Sequence, residues 1–221
     1  MKSLSSRLLA EFIGTALLLA VVVGSGIMGA RLSPGNDGVV LLANAAATAA
    51  ALYVLITLFG PVSGAHFNPV VTVSMQVRGE LTQREAASYI AVQLLAAVTG
   101  VLIAHAMFGM ALVQPGIRMR TGIDQWGSEA VATFGLMLTI LLGVQHRPAS
   151  VPALVASYIF AAYWFTASTS FANPAVTIAR ALTQTFAGIR PVDVAGFVIA
   201  QCTGAFVALF VVKLMTRRVT A

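Results

Sequence analysis

Charge is what this chain has least of: only 9% of its 221 residues are Asp, Glu, Lys or Arg, against about 25% in a soluble globular domain. So little charge cannot cover a water-facing surface. With 58% hydrophobic residues and a mean hydropathy of +0.90, the surrounding solvent has to be lipid. Cysteine is nearly absent too. Cys202 alone excludes an intrachain disulfide and any cysteine-rich zinc or dithiol motif, and neither a metal nor another cofactor is expected. Acidic residues are few, and Asp37, Asp124 and Asp193 fall in loops between apolar runs. Ser63 with His66 has no supporting third group, so an intramembrane hydrolase is not expected and no catalytic residue is assigned.

The 13 Lys and Arg, with a formal net charge of +6, would point to nucleic acid in a soluble protein. Here they lie between or beyond charge-poor intervals at 8–30, 38–77, 86–117, 130–146, 148–179 and 194–212, and they report topology instead. With both termini cytoplasmic, that side receives Lys2, Arg7, Arg78, Arg84, Arg147, Lys213, Arg217 and Arg218. The other side receives Arg31, Arg118, Arg120, Arg180 and Arg190, a bias that follows the positive-inside rule. The N-terminal apolar run is longer than a signal-peptide h-region and contains Glu11, so it is expected to remain as the first helix.

Three landmarks occur twice in the same order: an acid, an Asn-Pro pair and a glutamine. Glu11 is matched by Glu129, Asn68-Pro69-Val70-Val71-Thr72 by Asn173-Pro174-Ala175-Val176-Thr177, and Gln93 by Gln201. Each copy, at about 1–115 and 120–221, holds three segments long enough to span: 8–29, 39–59 and 86–108, then 127–145, 151–169 and 193–213. A repeat with an odd number of spans enters the membrane from opposite sides in its two copies. The expected fold is an all-α membrane protein, one domain of six transmembrane helices built as an inverted repeat. The uncharged stretches 60–77 and 170–182 are too short to cross and read as two re-entrant half-helices. Non-helical backbone at membrane depth is tolerated only where protein buries it or where it lines a wet cavity, so a water-filled path is implied.

Asparagine is a favoured N-cap and proline a favoured first helical residue. Asn68-Pro69 and Asn173-Pro174 therefore mark helix starts near mid-membrane. Each Asn oxygen caps its helix while its NH2 remains a donor that can hold a water in the path, and two positive helix ends oppose cations. Glu11 and Glu129 are intramembrane acids, a residue type that by default suggests proton coupling; a proton-coupled secondary transporter using these two residues is the rival to a passive channel.

Ser63-Gly64-Ala65-His66-Phe67-Asn68-Pro69-Val70-Val71-Thr72, together with Asn173-Pro174-Ala175-Val176-Thr177, resembles the aquaporin family of major intrinsic proteins over nearly the whole chain. The resemblance implies two half-helices meeting at the Asn-Pro motifs, one pore per protomer and a homotetramer embedded in membrane lipid. Val70 departs from the family's usual alanine. The family's acid pair accepts hydrogen bonds from the re-entrant loops, the role expected of Glu11 and Glu129, with Gln93 and Gln201 as loop-holding polar groups. Four family positions form the outer filter, and counting from the Asn-Pro motifs carries them onto Thr48, Ala161, Ser170 and Val176. Val176 stands where most of the family has arginine, and Thr48 where a bulky aromatic is common. Four small side chains imply a wide, nearly uncharged constriction that passes glycerol, urea and neutral metalloid acids such as arsenous or boric acid as well as water. The missing arginine implies weaker cation exclusion. In this respect the chain looks like bacterial channels associated with arsenic resistance, which implies the inner membrane.

His66 is expected at the cytoplasmic mouth, either as a pH-sensitive group or as a merely hydrogen-bonded histidine. Arg180 lies about two turns beyond Asn173, and a vestibule role at most is expected of it. Gly14, Gly100, Gly135, Gly143 and Gly204 read as close helix contacts, and Trp126 as an interfacial anchor.

Overall fold

A computed structural model describes residues 2–216; Arg217 and Arg218, counted above among the cytoplasmic cations, lie outside the described residues. The described residues form α-helices and two short 3-10 turns, without a strand. In chain order the helices are α1 (Leu4–Leu32), α2 (Asp37–Ser63), α3 (Pro69–Val77), α4 (Gln83–Met107), α5 (Ile123–His146), α6 (Val151–Phe165), α7 (Pro174–Arg180) and α8 (Val194–Met215). Six are long and apolar enough to cross a membrane once α6 and α8 are taken with the 3-10 turns that precede them. The remaining two, α3 and α7, are the half-helices.

The two repeats pack alike. In the first, α1 lies against both α2 and α4; in the second, α5 lies against α6 and α8. The halves join through α2 on α6, and both half-helices are held against α4 and α8. Small residues permit the tightest crossings, because a side chain would separate the backbones. A Cβ on Gly100 would collide with the Ala16 carbonyl, and one on Gly204 with the Ala130 carbonyl, so α1–α4 and α5–α8 approach at backbone distance. Leu9, Leu17, Leu58, Leu95, Ile199 and Phe210 point outward into the surroundings, as a lipid-facing belt requires.

Two of the boundaries that differ from the sequence expectation shape the re-entrant loops. The second span was expected to end near residue 59, but α2 continues through Pro61 to Ser63 and stops at Gly64, whose φ of +88° closes the helix with its N–H on the Gly60 carbonyl. The first re-entrant loop is therefore short. The fifth span ends early instead: Thr166 turns extended (φ −110°, ψ 136°) and its hydroxyl returns to the Ala162 carbonyl at 2.6 Å. Residues 166–173 thus form a longer loop than 64–68, and the repeat is asymmetric there.

Candidate functional site: the central passage

Both half-helices begin as the Asn-Pro pairs predict. Asn68 is extended (φ −155°, ψ 122°) and its Oδ1 accepts from the Val70 N–H at 3.0 Å; Asn173 (φ −158°, ψ 114°) accepts from Ala175 and Val176 at 3.0 and 3.3 Å. The amide nitrogens reach across the pseudo-twofold. Asn68 Nδ2 donates to the Ala172 carbonyl and Asn173 Nδ2 to the Phe67 carbonyl, each at 2.8 Å. An amide NH2 has two hydrogens. One from each asparagine ties the two loops together, leaving one for the passage.

The loops themselves run through strained backbone. Ala65, Phe67, Ser170 and Ala172 all have φ near +50°, a region that non-glycine residues rarely occupy and that persists only when the surroundings over-determine it. The glutamates supply that constraint. Glu11 accepts from the Ser63 hydroxyl, the His66 and Phe67 N–H groups and Gln93 Nε2 at 2.7 to 2.9 Å. Glu129 repeats the pattern with Ser168, Phe171, Ala172 and Gln201 at 2.6 to 2.9 Å. Gln93 and Gln201 also donate to Thr72 and Thr177, on α3 and α7. Both carboxylates are fully buried, with two donors on each oxygen.

A cavity of about 540 Å³ runs alongside these loops. It begins on the face carrying the described chain ends, among Gly60, Glu80 and Ala149, and passes His66, Asn68 and Asn173. Beyond them its wall includes Thr48, Tyr163, Ser170, Val176 and Arg180. Leu52, Ile56, Leu136, Ile140, Val155 and Ile159 give the passage apolar walls between few polar groups. His66 lies with Nδ1 3.1 Å from the Thr72 hydroxyl and its ring 5.3 Å from that of Tyr89.

The far end departs from the sequence expectation in two respects. Ala161 does not line the cavity; it faces outward, exposed, and Tyr163 stands in the wall with its hydroxyl 3.3 Å from Thr48 Oγ1. The inward face of α6 is Val155, Ile159 and Tyr163, at the i, i+4, i+8 spacing of one helix face. Counting back from Asn173 missed it because the count assumes a fixed loop length between α6 and α7. Arg180 is the second correction. Instead of standing out in a vestibule it is in the cavity wall, 2% exposed. Its distance along α7 from Val176 is about 6 Å, but helical side chains lean toward the N-terminus, and arginine is long enough to cover that turn.

Arg180 is held firmly. Its Nε donates to the Ala187 carbonyl and its guanidinium carbon sits 3.4 Å from the Phe171 ring centroid. Phe171 is itself fixed edge-on against Phe197. A second buried arginine, Arg120, lies 4.7 Å from the same ring and donates to the Gly188 and Ser168 carbonyls. Burial, reinforced by the like charges of Arg180 and Arg118, pushes Arg120 down to about 9, so it stays charged at neutral pH. Asp193 accepts from the Arg120 backbone N–H and pairs with the Arg190 side chain; no carboxylate neutralises either guanidinium at the passage among the described residues. Ser170 lines the same wall, while its Oγ is closed off without a partner. Among the described residues no three His, Cys, Asp or Glu lie together as a metal would require.

Comparison with known proteins places this architecture. The family described as Major intrinsic protein matches residues 1–166 and 149–221. The chain is 51% identical over 210 residues to an aquaglyceroporin, AqpS, of Rhizobium meliloti strain 1021, covering 95% of this chain and 90% of that protein. It is 34% identical over 173 residues to aquaporin AqpM of Methanothermobacter marburgensis, covering 66% and 69%. Among solved structures, the aquaglyceroporin of Plasmodium falciparum superposes with a TM-score of 0.75 over 97% of this chain and 98% of that one. At 18% identity that likeness concerns the fold.

Proposed function

Because the chain belongs to the major intrinsic protein family, we propose that it is a passive transmembrane channel for water and small uncharged solutes, not an enzyme. Glycerol, urea and neutral metalloid acids such as arsenous and boric acid form the solute class. The observation that carries this reading is the cavity itself. It brings Asn68 and Asn173, each with a remaining amide hydrogen, into one continuous apolar wall. A neutral solute loses little on entering such a wall if a few donors replace part of its hydration, whereas an ion loses far more.

Thr48, Ser170 and Val176 act as filter residues in this reading, joined by Tyr163, and His66 lines the mouth. We further infer a homotetramer in a bacterial inner membrane with both termini cytoplasmic. The family resemblance supports the first, and the distribution of Lys and Arg the second.

The proton-coupled alternative requires Glu11 and Glu129 to take up and release protons. Each instead has four donors committed to it. Uptake of labelled glycerol and urea into proteoliposomes is therefore expected to rise linearly with concentration and to be unchanged by a protonophore; saturable uptake that a protonophore abolishes would restore the transporter.

A further inference from the structure

Val176 leaves the usual filter position without a charge, yet the wall of the passage is not without one. Arg180 lies four residues further along α7, on the same helix face as Val176 and Asn173, because i, i+3 and i+7 align on a helix. Its Nε is spent on the Ala187 carbonyl and its flat face on Phe171. Its terminal nitrogens have no hydrogen-bond partner among the described residues. The guanidinium always carries its proton, and it lies in a stretch of cavity wall that Ser170 also lines.

No acid forms an ion pair with this charge among the described residues. Glu80 lies at the opposite end of the cavity, and Glu129, whose field reaches Arg180 and Arg120, turns its oxygens to the second loop. Arg120, on the same aromatic ring, adds positive potential. A cation that passes the asparagines thus meets a positive charge held in no ion pair, in a low-dielectric wall where water screens it least.

Resting on the channel reading above, we propose that Arg180 is the cation-excluding residue of this passage, displaced one turn from the usual filter position, and that its terminal N–H groups form the outer site for a solute hydroxyl or carbonyl oxygen. Phe171 and Arg120 are positioning residues: one fixes the plane of the guanidinium, the other keeps the ring in place. Exclusion of protons and metal cations is retained despite Val176, contrary to the expectation from the sequence.

The test is proton flux into liposomes loaded with a pH-sensitive dye, under a valinomycin-clamped potential, with water permeability measured on the same vesicles. Wild type is expected to match protein-free liposomes. Arg180→Gln is expected to raise the ratio of proton to water flux by at least about tenfold, the factor that about 1.4 kcal/mol of lost barrier produces. Arg180→Lys stays near wild type. Adding Val176→Arg to Arg180→Gln restores exclusion, which a merely structural role for Arg180 would not do. A wild type that leaks protons while passing water and glycerol overturns the proposal even if the glutamine variant does not fold, and so does a folded Arg180→Gln as tight as wild type. Absence of water and glycerol flux in wild type is a different result, because it removes the channel reading and this proposal with it.

Discussion

Glu129→Ala is expected to cost the protein its folded state. The substitution leaves four buried donors without an acceptor: the Ser168 hydroxyl, the Phe171 and Ala172 N–H groups and the Gln201 amide. Each such donor costs about 1 to 3 kcal/mol, set against a total stability of about 5 to 15 kcal/mol for a typical protein. The loss falls where backbone strain is concentrated, since Ser170 and Ala172 are both left-handed. Glu11→Ala removes the equivalent four bonds from the first loop and is expected to behave alike. The measurement is the fraction of monodisperse protein after size exclusion in detergent, together with its thermal midpoint. Glu129→Gln keeps the shape but turns an amide nitrogen toward two donors, so an intermediate loss is expected. The transporter reading makes the opposite prediction: a well-folded glutamine variant that has lost only proton coupling.

Val176→Arg is expected to reduce glycerol and urea flux by at least about tenfold, equivalent to about 1.4 kcal/mol of added barrier, while water still passes. Val176 lines the cavity at 5% exposure, one helical turn from Arg180 and in the same wall as Ser170. A guanidinium there takes up the volume a polyol needs. It also sits at i, i+4 from a like charge that Phe171 and Ala187 prevent from moving away. Stopped-flow light scattering on matched proteoliposomes checks the ratio of solute to water permeability. An unchanged ratio would mean that Val176 does not border the narrowest part of the path.

What the sequence made legible is what local chemistry and repetition encode. Six spans follow from apolar length. The caps follow from Asn-Pro, and the inverted topology from an odd number of spans per repeat. The loop-supporting role of Glu11 and Glu129 came from the family resemblance, and the cost of an unpaired charge at membrane depth agrees with it. The filter was less legible, since it depends on the phase of α6 relative to α7. That phase is set by where Thr166 ends the helix and by the length of the loop that follows, which no motif marks; hence Ala161 was expected where Tyr163 stands. A helical reading of α6 alone, with Val155, Ile159 and Tyr163 on one face, carries the missing signal. For Arg180 the rise along the helix was counted but not the backward lean and reach of the side chain. Phe171 carries no sequence signal of its own as an arginine platform; it becomes one only through contacts from residues 120 and 180, distant in sequence from each other.

The central claim, a passive path for small uncharged solutes, is tested most directly by stopped-flow volume changes of wild-type proteoliposomes in matched gradients of sucrose, glycerol and urea. In sucrose the vesicles should shrink faster than protein-free liposomes and stay shrunken. In glycerol or urea they should shrink and then re-swell as solute follows water through the channel. Shrinkage without faster re-swelling in either small solute would contradict the claim, leaving the fold of a major intrinsic protein without the solute path proposed for it.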